Sequence, residues 1–346
     1  MFKPLLASLA LGAASLGAPA QAAATANATA ATAAKPASSA SAATTNAITW
    51  QVATPTPDTG LHAENLAQFA KEVESASEGR LKISLRPDPA LKAPAVRRAV
   101  ADGKSALGEL QLAELQAEWQ TFGLDSIPFL ASGYPKAQKL YQAQRVALGK
   151  KLAAQGLVML YSVPSPPPGL FLKKPVDKLT ELRGLSWAAY NPATERMAKL
   201  LGAKPVAMPE AQLTQAVAHG KVDAALVSAD GFSAEAIEGM EVFVDLQAWV
   251  PRHAVLMNLK AFEQLDPATR KAVVKAAIAA EQRGWKQSEA RHQRFLAALK
   301  DMGMTVAPPS EALRTGLQKT VGEPMIDEWL QRTGPEGKLL IDDYRR

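Results

Sequence analysis

The side chains best suited to chemistry are four histidines, His62, His219, His253 and His292, and no two of them share the short spacing of a metal-ligand pair. Neither His-Glu-x-x-His nor Gly-x-Ser-x-Gly occurs, so no zinc-protease helix and no nucleophile elbow is readable. Gly103-Lys104-Ser105 has the form of the end of a phosphate-binding loop. The glycine such a loop needs five residues earlier is Arg98, and the tripeptide follows a helix and precedes a strand, the reverse of the required order, so it reads as a turn. The paired carboxylates Asp342-Asp343 fall at the polar C-terminus and read as a solvated end. There is no cysteine, which excludes disulfides, thiol nucleophiles and thiolate metal sites. No catalytic set, metal or cofactor is expected.

Charge narrows the partners. The chain has 39 Lys and Arg against 33 Asp and Glu; Lys3 and Lys35 precede Ile48 and no acid does, leaving a net +4 in the remainder. The basic residues come in scattered pairs such as Arg97-Arg98 and Lys173-Lys174, never as runs interleaved with aromatics, which gives nucleic-acid binding no support.

The elements that would position these groups begin after a leader. Lys3, the apolar run Leu5 to Leu16 and the triplet Ala20-Gln21-Ala22 have the three-part layout of a cleavable export signal, predicting residues 1–22 as signal peptide and a periplasmic protein. The run is interrupted by Ser8, Gly12 and Ser15 and is too short to span a bilayer, so no direct membrane insertion is expected. Residues 23–47 are nearly all Ala, Ser, Thr and Asn, a composition that predicts a disordered tether.

From Ile48 onward, strand and helix patterns alternate. Ile48 to Ala53 is followed by a helix with Leu66, Phe69, Ala70 and Val73 on one face, then by Leu81-Lys82-Ile83-Ser84-Leu85 with strand alternation. Further strands are predicted over Leu157 to Tyr161, Leu185 to Ala188, Val222 to Val227, Val242 to Leu246 and Ala254 to Asn258. Helices are expected over Pro192 to Leu201 and Glu210 to His219. The class is α/β. Asp266 as N-cap and Pro267 at the first helical position open a long helix that runs towards Gly303, with Val274, Ile278, Trp285, His292, Leu296 and Leu299 on its expected inner face. Such a helix would lie along more than one lobe.

The order of several short motifs resembles the TRAP transporter solute-binding proteins, dicarboxylate-binding type. They are Glu78-Gly-Arg-Leu-Lys-Ile83, Asp125-Ser-Ile-Pro-Phe-Leu-Ala131, Lys173-Lys-Pro-Val176 leading to Leu182-Arg-Gly-Leu185, Leu201-Gly-Ala-Lys-Pro-Val206, Gly220-Lys-Val-Asp-Ala224 and Trp249-Val-Pro251. The resemblance implies a two-lobed binding-protein fold with an interlobe cleft and a long helix crossing both lobes, hinge closure on a small organic solute, and delivery to the membrane permease subunits of a TRAP transporter. It implies lobe I as 48–168 with 253–280 and lobe II as 169–252 with 281–346.

By the same resemblance the ligand-facing positions are Phe171, Tyr190, Asn191, Gln212, Ser228 and Trp249. Read on chemistry alone, Phe171 and Trp249 equally suit a core, and Asn191-Pro192 equally suits a helix cap. Ser228 follows a buried-looking strand, where α/β sheets present ligand sites. The two arginines that clamp a carboxylate in such proteins correspond here to Ala188 and Pro168, and a family glutamate to Gln212. Losing one partner of a buried charge pair costs about 2–5 kcal/mol, so a neutral or atypical ligand is expected. Arg252 stands where relatives carry an exposed base. The alternative function is a binding fold that has lost transport and acts as a periplasmic sensor or scaffold.

Overall fold

The computed structural model describes residues 47–209, 212–231 and 239–346. The expected signal peptide, the tether up to Asn46, and Glu210 lie outside the described residues. Strands β1 (Ile48–Thr54), β2 (Leu81–Pro87), β3 (Leu107–Gln111) and β4 (Leu157–Pro164) build a first sheet. Strands β5 (Gly169–Leu172), β6 (Ser186–Ala189), β7 (Lys204–Ala207), β8 (Ala224–Val227) and β9 (Val242–Val244) build a second. Then β10 (Arg252–Asn258) returns to the first sheet and β11 (Thr305–Ala307) to the second. The orders are β2-β1-β3-β10-β4 and β11-β9-β5-β8-β6-β7. In the first, β1 runs parallel to β2 and β3 while β10 is antiparallel to β3 and β4; the second mixes both senses in the same way.

The helices are α1 (Leu61–Ala76), α2 (Ala93–Ala101), α3 (Tyr134–Ala153), α4 (Pro192–Leu201), α5 (Leu213–Ala218), α6 (Leu259–Gln264), α7 (Pro267–Asp301), α8 (Glu311–Leu317) and α9 (Glu323–Arg345). Leu66, Phe69 and Val73 of α1 pack with Leu81, Leu107 and Tyr161 over the first sheet. Trp187, Met197, Leu201 and Leu226 form a separate core on the second. Two cores on two sheets make two lobes.

Three connections join them. Ser165 to Pro168 links β4 to β5, Asp245 to Pro251 links β9 to β10, and α7 runs past both sheets. The two extended crossings are tied side by side by a bond from Ser165 N–H to Pro251 O at 2.8 Å. Four prolines among them fix φ and stiffen the joint.

The long helix forms where its cap predicts. Asp266 accepts from the N–H groups of Ala268 and Thr269, and the 35 residues that follow extend about 52 Å. Its inner face is the expected one at the C-terminal end, where His292 and Leu299 are fully buried, and differs from it in the first half. Val274 is 42% and Ile278 54% exposed, and the buried line is Ala272, Val273, Ala276, Ala277, Ala280, Gly284 and Ser288. Small side chains win because the helix lies directly on α1 and β4: a Cβ on Gly284 would stand 2.4 Å from Val163. Gly169 shows the same close approach on the second sheet, its place for a Cβ being filled by the Phe243 ring at 2.1 Å.

Asp342 and Asp343 are solvent-facing as expected, their side chains 42% and 47% exposed, but on α9, whose Trp329, Leu340, Ile341 and Tyr344 are buried against α3 and the 124–131 segment, with Tyr344 donating to Leu130 O. One polar expectation is corrected. Arg252 is 1% exposed rather than a surface base. It bonds the Asp125 carboxylate at 3.1 Å and Gln144 Oε1 at 2.5 Å, and lies 4.4 Å from the Tyr141 ring centre. Gly103-Lys104-Ser105 is a turn, with Gly103 at φ 73°.

Candidate functional site

A cavity of about 530 Å³ lies between the lobes, the size of a small-molecule site. From the first lobe come Gln111 at the end of β3, then Glu114, Gln116 and Ser126. From the second come Tyr190, Asn191, Ala193, Thr214, Ser228 and Asp230, and the crossings add Ser165, Pro168, Trp249 and Pro251. Most of the lobe II contributions sit at or just beyond the C-terminal ends of β6 and β8, where open α/β sheets leave backbone groups and loop side chains facing a crevice.

Four of the six expected residues meet there: Tyr190, Asn191, Ser228 and Trp249. Tyr190 donates its hydroxyl to Leu226 O at 3.0 Å, which pins the ring across β8. Asn191 is both cap and lining: its Oδ1 accepts from Thr194 N–H at 2.9 Å, closing the first turn of α4, and the residue borders the cavity. That turn aims the positive end of the α4 dipole into the cleft. Trp249 is 8% exposed and reaches the cavity from the crossing. Phe171 lies behind the wall, edge-on to Phe243 and Phe295 in the core. Gln212 is exposed at the start of α5, beside the lining pair Leu213 and Thr214. Of the positions aligned with the family arginines, Pro168 lines the cavity and Ala188 is fully buried in the core beneath Tyr190.

Long-range folding brings together groups that spacing kept apart. Glu109, an acid inside the buried strand β3, accepts from His253 Nδ1 at 2.5 Å, and its second oxygen accepts from the hydroxyls of Thr54 at 2.6 Å and Thr56 at 2.5 Å. The His62 ring stacks on His253 with centroids 3.9 Å apart and planes 18° apart, and its Nε2 lies 2.7 Å from the Ser165 hydroxyl. Burial and the neighbouring His253 charge lower His62 to about 3, so it is neutral. Burial works to raise Glu109, but the charge and hydrogen bond of His253 outweigh it and hold the carboxyl at about 2. Burial works against the charge on His253, yet Glu109 raises it above 6.5.

Donor atoms of His62, Glu109 and His253 come within 4.8 Å of one another, which invites a metal reading. The ring planes argue against it. An imidazole lone pair lies in its ring plane, so two stacked rings direct theirs side by side rather than to one point, and both Glu109 oxygens are already used. The cluster is a hydrogen-bonded charge network that fixes Ser165 at the joint. Sequence separation hid it; the one readable signal was an acid, Glu109, within an otherwise buried strand.

Comparisons with known proteins agree with this geometry. The profile of the bacterial extracellular solute-binding proteins, family 7, matches residues 52–331. An extracytoplasmic solute receptor of Bordetella pertussis that binds pyroglutamic acid is 42% identical, with a TM-score of 0.76, over 86% of this chain and 99% of that one. A second pyroglutamic-acid receptor of that organism is 35% identical, TM-score 0.75, over 87% and 100%. A marine-metagenome TRAP solute-binding protein specific for pyroglutamate, in complex with the co-purified ligand, is 30% identical, TM-score 0.73, over 86% and 99%. These are receptors and not enzymes, and they work outside the cytoplasm. The chain belongs to the bacterial extracellular solute-binding proteins of family 7, the solute receptors of TRAP transporters.

Proposed function

We propose that the cleft captures pyroglutamate, or a cyclic monocarboxylate of its size, in the periplasm and hands it to the membrane permease subunits of a TRAP transporter. The observation that carries this reading is that three relatives 30–42% identical over almost their whole length bind that one compound. The leader at residues 1–22 supports export and cleavage before the tether.

Without an arginine at 168 or 188, the carboxylate is met by neutral donors: the Trp249 indole N–H, the Asn191 amide, the Ser228 hydroxyl and the Ala193 N–H in the first turn of α4. Tyr190 forms a wall. Phe171 supports that wall from the core, and Gln212 flanks the rim. Closure is a rotation about Ser165 to Pro168, Asp245 to Pro251 and α7, which carries the lobes together around the solute.

A thermal melt with added pyroglutamate tests it. Ligand at 100 times its Kd stabilises by about 2.7 kcal/mol, which is read as a higher Tm. An unchanged melt at millimolar pyroglutamate contradicts the reading.

A further inference from the structure

Among the described residues lining the cleft there are two charged side chains, Glu114 and Asp230, and both are acids. The internal stretches 210–211 and 232–238 contain no Lys or Arg. One of the two charges is balanced: Asp230 Oδ1 takes Arg291 Nε at 2.7 Å, leaving its second oxygen open. The other is not. Glu114 is exposed to the cavity from the first lobe and makes no hydrogen bond or ion pair with the described residues. The nearby His253 is committed to Glu109.

The cleft therefore offers a carboxylate acceptor from each wall and no cation to pair with a second acid group on a ligand. A dicarboxylate would bring two negative charges against Glu114 with no Lys or Arg among the described lining residues to pair with the second. A ligand with one carboxylate and an N–H on the neighbouring atom fits both halves: the carboxylate at the neutral donors around Asn191 and Trp249, the N–H at Glu114 or Asp230. We propose that Glu114, seconded by Asp230, is the specificity-determining residue of this cleft, selecting acids that carry an N–H donor beside the carboxylate and rejecting dicarboxylates. This rests on the pyroglutamate reading and extends it to the atom recognised.

The test is calorimetry on the exported chain with pyroglutamate, with its lactone isostere 5-oxotetrahydrofuran-2-carboxylate, in which oxygen replaces the ring N–H, and with succinate. The lactone turns a donor into an acceptor facing a carboxylate, so it should bind at least ~100-fold more weakly than the lactam, and succinate should do no better. Glu114→Gln should weaken pyroglutamate about 10-fold and narrow the lactam-to-lactone ratio about 10-fold, because the amide can donate to the ring oxygen. Its melting temperature should stay that of the parent, since the position is exposed. A lactone as tight as the lactam, succinate as tight as either, or a ratio unmoved by both Glu114→Gln and Asp230→Asn overturns the inference and leaves the pyroglutamate reading standing. Binding of neither ring compound overturns both.

Discussion

The imidazoles of His62 and His253 stack with centroids 3.9 Å apart, and burial lowers the pKa of the first while Glu109 raises that of the second against its own burial. The pair comes from α1 and β10, so its geometry depends on the first lobe being folded. It also reaches the joint through the His62 to Ser165 bond.

Stability should therefore fall on both sides of neutrality. His62, lowered from 6.5 to about 3, favours the native state above 6.5 and loses that contribution as pH falls towards 3. Glu109, lowered from 4.5 to about 2, adds to the same acid limb below 4.5. His253, raised, contributes fully below 6.5 and is lost as pH climbs through its native value. Urea unfolding between pH 7 and 4 should show His62 alone contributing roughly 2–4 kcal/mol, allowing for its half-buried position. His62→Gln should flatten that limb; an identical slope in the variant would contradict the assignment.

Arg252 and Asp125 form an ion pair with side chains 1% and 3% exposed. Asp125→Asn leaves the guanidinium buried with no counter-charge and should cost about 3–5 kcal/mol in denaturant unfolding. Arg252→Lys should not restore the parent value, because a lysine cannot hold Asp125, Gln144 and the Tyr141 face at once. A loss under 1 kcal/mol in both would refute the pairing.

Two helix glycines should respond to alanine with opposite signs. Gly149 in α3 has open space where a Cβ would go, so Gly149→Ala should stabilise by about 0.5–1 kcal/mol through helix propensity. Gly284 in α7 has Val163 there at 2.4 Å, and Gly284→Ala should destabilise by about 1–3 kcal/mol, partly recovered by Val163→Ala in the same chain. Equal effects at the two sites would contradict the close packing of α7 on β4.

Local signals carried most of the fold. The α1 face, the strand starts at Ile48 and Leu81, the α4 limits at Pro192 and Leu201 and the opening of α7 at Pro267 were all legible, because each is written in neighbouring residues. On α7 the burial of His292 and Leu299 was legible, but the inner face of its first half was not, since alanines and Gly284 carry no apolar period and become an interface only when α1 and β4 lie against them. Arg252 misled for the same reason: its partners Asp125 and Gln144 are more than 100 residues away in sequence. In the cleft, Asn191 announced itself as a cap and proved to be lining as well, and Asp230 lies in the turn after β8 that Ser228 already marked, whereas Glu114 and Ser165 carried no local mark and emerge only when the lobes face each other.

The cleft residues can be separated from the core by what they change. Trp249→Ala removes a cavity wall and an N–H donor, and should reduce pyroglutamate affinity at least ~10-fold. Phe171→Ala removes a ring packed between Phe243 and Phe295 and should instead cost about 3–5 kcal/mol in unfolding. Unfolding curves and binding isotherms on both variants distinguish the two roles; the reverse pattern would place Phe171 at the ligand.

The most direct measurement is a calorimetric titration of the exported chain, unfolded and refolded to strip bound solute, with pyroglutamate. The account predicts saturable one-to-one binding that Trp249→Ala weakens. A flat titration at millimolar ligand, from protein whose refolded melt matches the native one, would contradict it.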